Sequence, residues 1–171
     1  MKWSYSGNTQ TFTSPINKFT QTVGLSGLLW SASLNWAILE EDDYNILNPF
    51  MLQLRGQAGR FYLSPAQYEG DHSTGLTATT ADSISVELSS PVSTLNIGNY
   101  LSINNELKMI VEKISDTTYK VEPPFRELYI AQPVELNKPT AIMRLLTDTY
   151  DMDFRPPIVQ NVSFDIIESL A

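Results

Sequence analysis

The chain has no cysteine and a single histidine, His72, in 171 residues. Without thiols it can form no disulfide framework, no thiolate zinc site and no cysteine nucleophile. One histidine excludes a His-rich metal cluster, and any His-dependent triad would rest on one side chain in a loop-like stretch. Basic charge is scarce too: 11 Lys and Arg stand against 19 Asp and Glu, a formal net charge of -8. Sequence-independent binding to phosphate backbones needs clustered Lys and Arg, so nucleic acid is a disfavoured partner. Long hydrophobic runs are also missing. The most apolar stretch, Leu25 to Trp36, is broken by Ser26, Gly27, Ser31, Ser33 and Asn35, short of the roughly 20 apolar residues that span a bilayer. Met1 to Gln10 lacks the basic-then-apolar order of a secretory signal. The expectation is a soluble protein made in the cytoplasm, with no membrane insertion and no cofactor.

What the sequence does have is hydroxyl. Serine and threonine make up 32 residues while only 18% are charged, and alternation of polar with apolar residues favours strands over solvated helices. Thr11 to Val23 reads as an irregular pair of strands interrupted near Pro15. In Leu29 to Trp36, Trp30, Ala32, Leu34 and Trp36 share one face, with Ser31, Ser33 and Asn35 on the other. Two indole rings on one face predict a core anchor.

The period then changes. Tyr44, Leu47, Met51 and Leu54 recur at helical spacing between Glu40 and Arg55, and the run Glu40 to Asp43 complements the positive end of a helix dipole. Pro49 predicts a kink or a break into two short pieces. Arg55 to Arg60 reads as a glycine-bearing turn and Phe61 to Leu63 as a short strand. From Gly75 to Leu146 come six predicted strands: Leu76 to Thr80, Ile84 to Leu88, Tyr100 to Ile103, Leu107 to Ile114, Tyr119 to Val121 and Ala141 to Leu146. A small antiparallel barrel fits that spacing. The closing stretch alternates at Val162, Phe164 and Ile166 and needs a sheet to complete, the region of Trp30 to Trp36. The predicted fold is mainly β, a discontinuous β-sandwich domain of residues 1–70 plus 147–171 with one short helix, interrupted by a small antiparallel β-barrel of residues 71–146.

No catalytic constellation emerges. Gly56 and Gly59 lack the Lys-Ser/Thr of a phosphate loop and read as turn residues. Asp148, Asp151 and Asp153 lack the glycine and distal glutamate of a calcium loop. Asp71 and His72 could form an acid/base pair, but sequence neighbours in extended chain face apart. The expectation is a protein that is not an enzyme.

The stretch Trp30 to Trp36, the acidic helix ending in Leu54-Arg55-Gly56-Gln57, and Gly59-Arg60-Phe61-Tyr62-Leu63 together resemble a family of tailed-bacteriophage tail proteins. Ile97 to Ile103 followed by Glu106 to Ile110, then Pro123-Pro124-Phe125-Arg126, Ala141 to Leu145 and Val162-Ser163-Phe164 continue the resemblance over nearly the whole chain. Asn99 stands where the family more often has Asp. The resemblance implies a virion structural protein at the distal end of the tail, a distal tail or baseplate hub protein. It would form a six-fold homo-oligomeric ring that contacts tail tube and hub proteins, with the inserted barrel decorating the ring. Its marked positions are Trp30, Trp36, Leu54, Arg55, Gly56, Gln57 and Phe61, with Arg55 and Gln57 expected to brace the turn by bonding backbone carbonyls. The alternative expectation is a carbohydrate-binding or receptor-binding module that contacts host surface glycans through exposed Tyr5, Tyr68 or Tyr129.

Overall fold

The structure, a computed structural model, describes residues 1–65, 68–70, 72–149, 151–155 and 158–169. In chain order the elements are β1 (Lys2–Thr13), β2 (Thr20–Leu39), α1 (Glu41–Leu54), a 3-10 turn (Gly56–Ala58), β3 (Phe61–Leu63), β4 (Thr77–Thr80), β5 (Ser85–Leu88), β6 (Tyr100–Ile103), β7 (Glu106–Lys113), β8 (Thr118–Glu122), β9 (Gln132–Glu135), β10 (Ala141–Leu145), β11 (Asp151–Arg155) and β12 (Ile158–Glu168). The mainly β class, the one helix and the antiparallel barrel agree with the pattern of the sequence.

A six-stranded sheet runs β1-β2-β12-β10-β3, with β11 paired to β12. The predicted pairing of the last strand with the tryptophan strand is present: Val162 stands opposite Trp36, Phe164 opposite Leu34 and Ile166 opposite Ala32. These residues share a face and bury it together with Trp30, Ala141, Met143 and Leu145, under Met51 and Leu54 of α1 and Leu107 of β7. Each such side chain contributes roughly 1.5–3 kcal/mol on burial. The second layer over this sheet is thus the helix and the barrel wall.

The barrel closes in the order β4-β5-β8-β7-β6-β9 around its own core of Val86, Leu95, Leu101, Ile110, Tyr119 and Val121. Two strand assignments need correction. Ala141–Leu145, predicted as a strand of the inserted unit, bonds to β3 and β12 and belongs to the large sheet. The strand that closes the barrel is β9, which the sequence pattern missed; its Pro133 sits opposite Thr77, and Val134 opposite Ile103. The helix is one uninterrupted element with Pro49 inside it. Pro49 is exposed, so the carbonyl freed by its missing N–H faces the solvent side of the helix.

Candidate assembly surfaces

The N-terminal strands form a hairpin that outruns the sheet. Lys2 to Ser6 pair with Ser33 to Leu29; then the register shifts, Asn8 faces Leu25, and pairing continues to Thr13 opposite Thr20. The predicted irregular strand pair is thus a long hairpin that begins at Lys2 and turns around Pro15. Beyond the shift, cross-strand partners sort into two faces. Thr11 with Thr22 and Thr13 with Thr20 make a hydroxyl face, each pair joined at 3.3 Å. Gln10 with Val23 and Phe12 with Gln21 make the opposite face. The turn is held by the Ser14 N–H on the Phe19 carbonyl at 2.8 Å and the Phe19 N–H on the Asn17 side chain at 3.1 Å. This arm leaves large apolar groups in water: Phe12 is 68%, Ile16 94% and Phe19 75% exposed. All three belong to the strands and turn of this one hairpin.

A second apolar surface lies at the far end of β2. There Trp36, Ile38, Ile46 and Phe50 line a groove of about 350 Å³ between strand and helix, with Asp43 on its wall. Ile38 is 60% and Ile46 73% exposed, and Glu41, Asp42 and Asp43 form the first helical turn beside them.

The marked turn couples helix to sheet. Leu54 is buried, and Arg55 ends α1 in the left-handed conformation (φ 52°), its N–H donating to the Leu52 carbonyl at 3.2 Å. Gly56 continues at φ 68°, and a Cβ there would meet Asp148 Oδ1 at 2.5 Å. That carboxylate needs the space, because it accepts the Gln57 N–H at 2.9 Å. Gly59 has no room either, since its Cβ would stand 2.5 Å from the Leu54 carbonyl oxygen. The brace is not the one expected. Arg60 donates to the carbonyls of Gln57, Ala58 and Gly59 at 2.8 to 3.0 Å, while the Gln57 side chain accepts from Arg144 of β10 at 3.0 Å. No bond from the Arg55 guanidinium is found among the described residues. Phe61 meets Phe50 edge-on at 5.6 Å, and Trp36 packs on Phe164 at 5.5 Å. Arg144 and Asp148 escape sequence reasoning because only the fold brings them to Gln57, from 87 and 91 residues away along the chain.

Trp30 sits at the joint of sheet and barrel. Its ring lies 5.8 Å from both Trp3 and Tyr100, and its Nε1–H donates to the Leu107 carbonyl at 2.9 Å. Beside it, Glu168 accepts the Trp30 backbone N–H at 3.1 Å and Arg126 at 2.8 Å. Glu106 accepts from Lys108 at 2.8 Å, from the Tyr129 hydroxyl at 2.8 Å and from the Arg126 N–H at 3.3 Å. Burial alone would raise the Glu106 carboxyl, but the bond and charge of Lys108 and the other two donors together hold it below its ordinary value. Burial pulls Lys108 down despite Glu106. Burial and the adjacent carboxylate push the Tyr129 hydroxyl up to about 12. The bonds converging on Glu106 and Glu168 stiffen this joint, while the buried Trp3 Nε1 beside Trp30 finds no partner among the described residues.

Asp71 lies outside the described residues, as do the side chains of Asp151 and Asp153. His72 bonds Thr94 at 2.7 Å and the Tyr68 hydroxyl at 3.3 Å, and its N–H donates to Asn137 at 2.8 Å, so it ties a loop to the barrel. Among the described residues no three His, Cys, Asp or Glu side chains gather as a metal site, and no helix is long and apolar enough to cross a membrane. Of the expected sugar-stacking aromatics, Tyr129 is buried against Glu106, contrary to expectation, and Tyr68 is half-buried edge-on to Tyr100. Tyr5 alone of the three is exposed. No protein-family model matches the chain, and no curated protein matches it.

Proposed function

We propose that the chain is a structural, non-enzymatic part of a bacteriophage virion. It forms a six-fold ring at the distal tail or baseplate and connects the tail tube to the hub or host-recognition apparatus. The observation that carries this reading is the hairpin arm: Phe12, Ile16 and Phe19 remain in water in the single chain, so the fold is completed by a protein neighbour. The Leu54-Arg55-Gly56-Gln57 turn supports it by locking helix to sheet through Asp148 and Arg144, which gives a ring subunit a fixed shape. A net charge of -8 suits a bore that passes DNA without holding it.

Light scattering of the purified protein, followed by class averaging of electron micrographs, tests the reading. The expected particle contains six copies of the 19.2 kDa chain and shows six-fold symmetry. A strictly monomeric species at high concentration, alone and with the tail tube protein, would refute it.

A further inference from the structure

We infer that the arm tip of one copy seats in the groove between β2 and α1 of the next, so that copies join head to tail. This rests on the ring reading above and specifies which surfaces meet. Tip and groove lie at opposite ends of β2, which spans Thr20–Leu39, up to about 60 Å apart at the usual rise per strand residue. They cannot meet within one chain. A pair of unlike surfaces on one subunit is the requirement for a heterologous contact, which closes into a ring when the rotation allows it.

The chemistry of the two surfaces matches. From Ser4 to Leu39 the only charged residue is Lys18, which stands in the turn between the exposed Ile16 and Phe19. The groove offers exposed Ile38 and Ile46 with Asp43 on its wall, followed outward by the other carboxylates of the first helical turn. Neither Lys18 nor Asp43 has an ion-pair partner among the described residues. Seating Ile16 and Phe19 on Ile38 and Ile46 removes both apolar patches from water, while Lys18 meets Asp43 at the rim, where a charge pair selects partner and register.

The chain contains no cysteine, so a designed pair reports the contact directly. In the full-length Phe19→Cys/Ile46→Cys variant, mild oxidation should link copies into covalent multimers up to the ring, with either single variant giving no such ladder. Light scattering of the parent is run alongside. A parent that forms rings while the oxidised double variant stays monomeric on a denaturing gel overturns the contact and leaves the ring reading intact. A monomeric parent overturns both. Charge reversal gives a second test: Lys18→Glu and Asp43→Lys should each weaken association about fivefold, and the double reversal should restore it. Absence of either loss, or of the restoration, also overturns the contact.

Discussion

The indole of Trp30 donates to the Leu107 carbonyl at 2.9 Å, so strand β2 of the sheet is bonded to the barrel as well as packed against it. Trp30 is 3% exposed and Leu107 fully buried, which leaves no water to replace that donor. Trp30→Phe keeps an aromatic ring but strands the carbonyl, at a cost of about 1–3 kcal/mol. Trp30→Ala adds a cavity and should cost about 3–5 kcal/mol. Thermal melts should fall roughly 2–4 °C per kcal/mol for a chain of this size. A negligible loss for Trp30→Phe beside a full loss for Trp30→Ala would show that the bond contributes nothing beyond packing.

Arg126 joins the same corner from the barrel side by reaching Glu168 at the end of β12. The Glu168 side chain is 2% exposed and that of Arg126 35%, so the two single truncations are unequal. Arg126→Ala leaves a buried carboxylate still bonded to the Trp30 N–H and, discounted for the exposure of the arginine, costs about 1–3 kcal/mol. Glu168→Ala strands the Trp30 N–H as well and should destabilise more. Denaturant unfolding of both checks the order, and a larger loss for Arg126→Ala would reverse the assignment.

The parts of the fold legible in the sequence are those where a face is buried. Trp30, Ala32 and Leu34 alternate with serine and asparagine because one side of β2 packs and the other meets water, and Val162, Phe164 and Ile166 repeat the pattern opposite them. Where neither face is buried, the signal fails. From Tyr5 to Thr13 strand β1 is exposed throughout, so its serines and threonines carry no alternation of hydrophobicity, and its pairing shows only in the register with β2. Strand β9 is Gln-Pro-Val-Glu with only Val134 partly buried, and its proline argues locally against a strand. Ala141–Leu145 does alternate, but alternation does not say which sheet a strand joins. The same limit hid the Arg144 and Asp148 contacts of the marked turn, since these residues lie 87 and 91 positions from Gln57 along the chain.

Arg55 and Arg60 separate the two roles in that turn. Arg55 holds φ 52°, a conformation costing an L residue about 1–2 kcal/mol, and its guanidinium bonds nothing among the described residues. Arg55→Gly should therefore raise stability by up to about 1 kcal/mol. Arg60→Ala removes donors to three carbonyls and should cost about 0.5–1.5 kcal/mol. Melting both variants tests the assignment, and destabilisation by Arg55→Gly with none by Arg60→Ala would return the brace to Arg55.

Acid should loosen the joint through Glu106. Its folded-state carboxyl lies below the ordinary 4.5, so the folded chain binds fewer protons there than the unfolded chain. The stabilisation is present above the ordinary value and is lost as pH falls through the folded one. Glu106→Gln should flatten the acid limb of a stability–pH curve below about pH 4.5. It should not abolish it, because Asp82 is also held low by the Ile84 N–H and by Ser85. An unchanged acid limb in Glu106→Gln would show that the cluster does not titrate in this window.

Alkali probes the same cluster from the other side. Tyr129 ionises near 12 in the folded chain against an ordinary 10.0, so its stabilisation is complete below the ordinary value and is lost as pH rises through the folded one. Tyr129→Phe removes a donor to a buried carboxylate and should cost about 1.5–3 kcal/mol at neutral pH. Lys108, pulled below its ordinary value by burial, works in the opposite sense: the folded chain sheds that proton first, so its titration adds stability as pH rises. Lys108 is common to both proteins, so the difference between parent and Tyr129→Phe isolates the tyrosine. That difference should shrink steadily from about pH 10 to pH 12. A constant difference across that range would mean that the hydroxyl ionises alike in the folded and unfolded chains, so that neither burial nor Glu106 holds its proton.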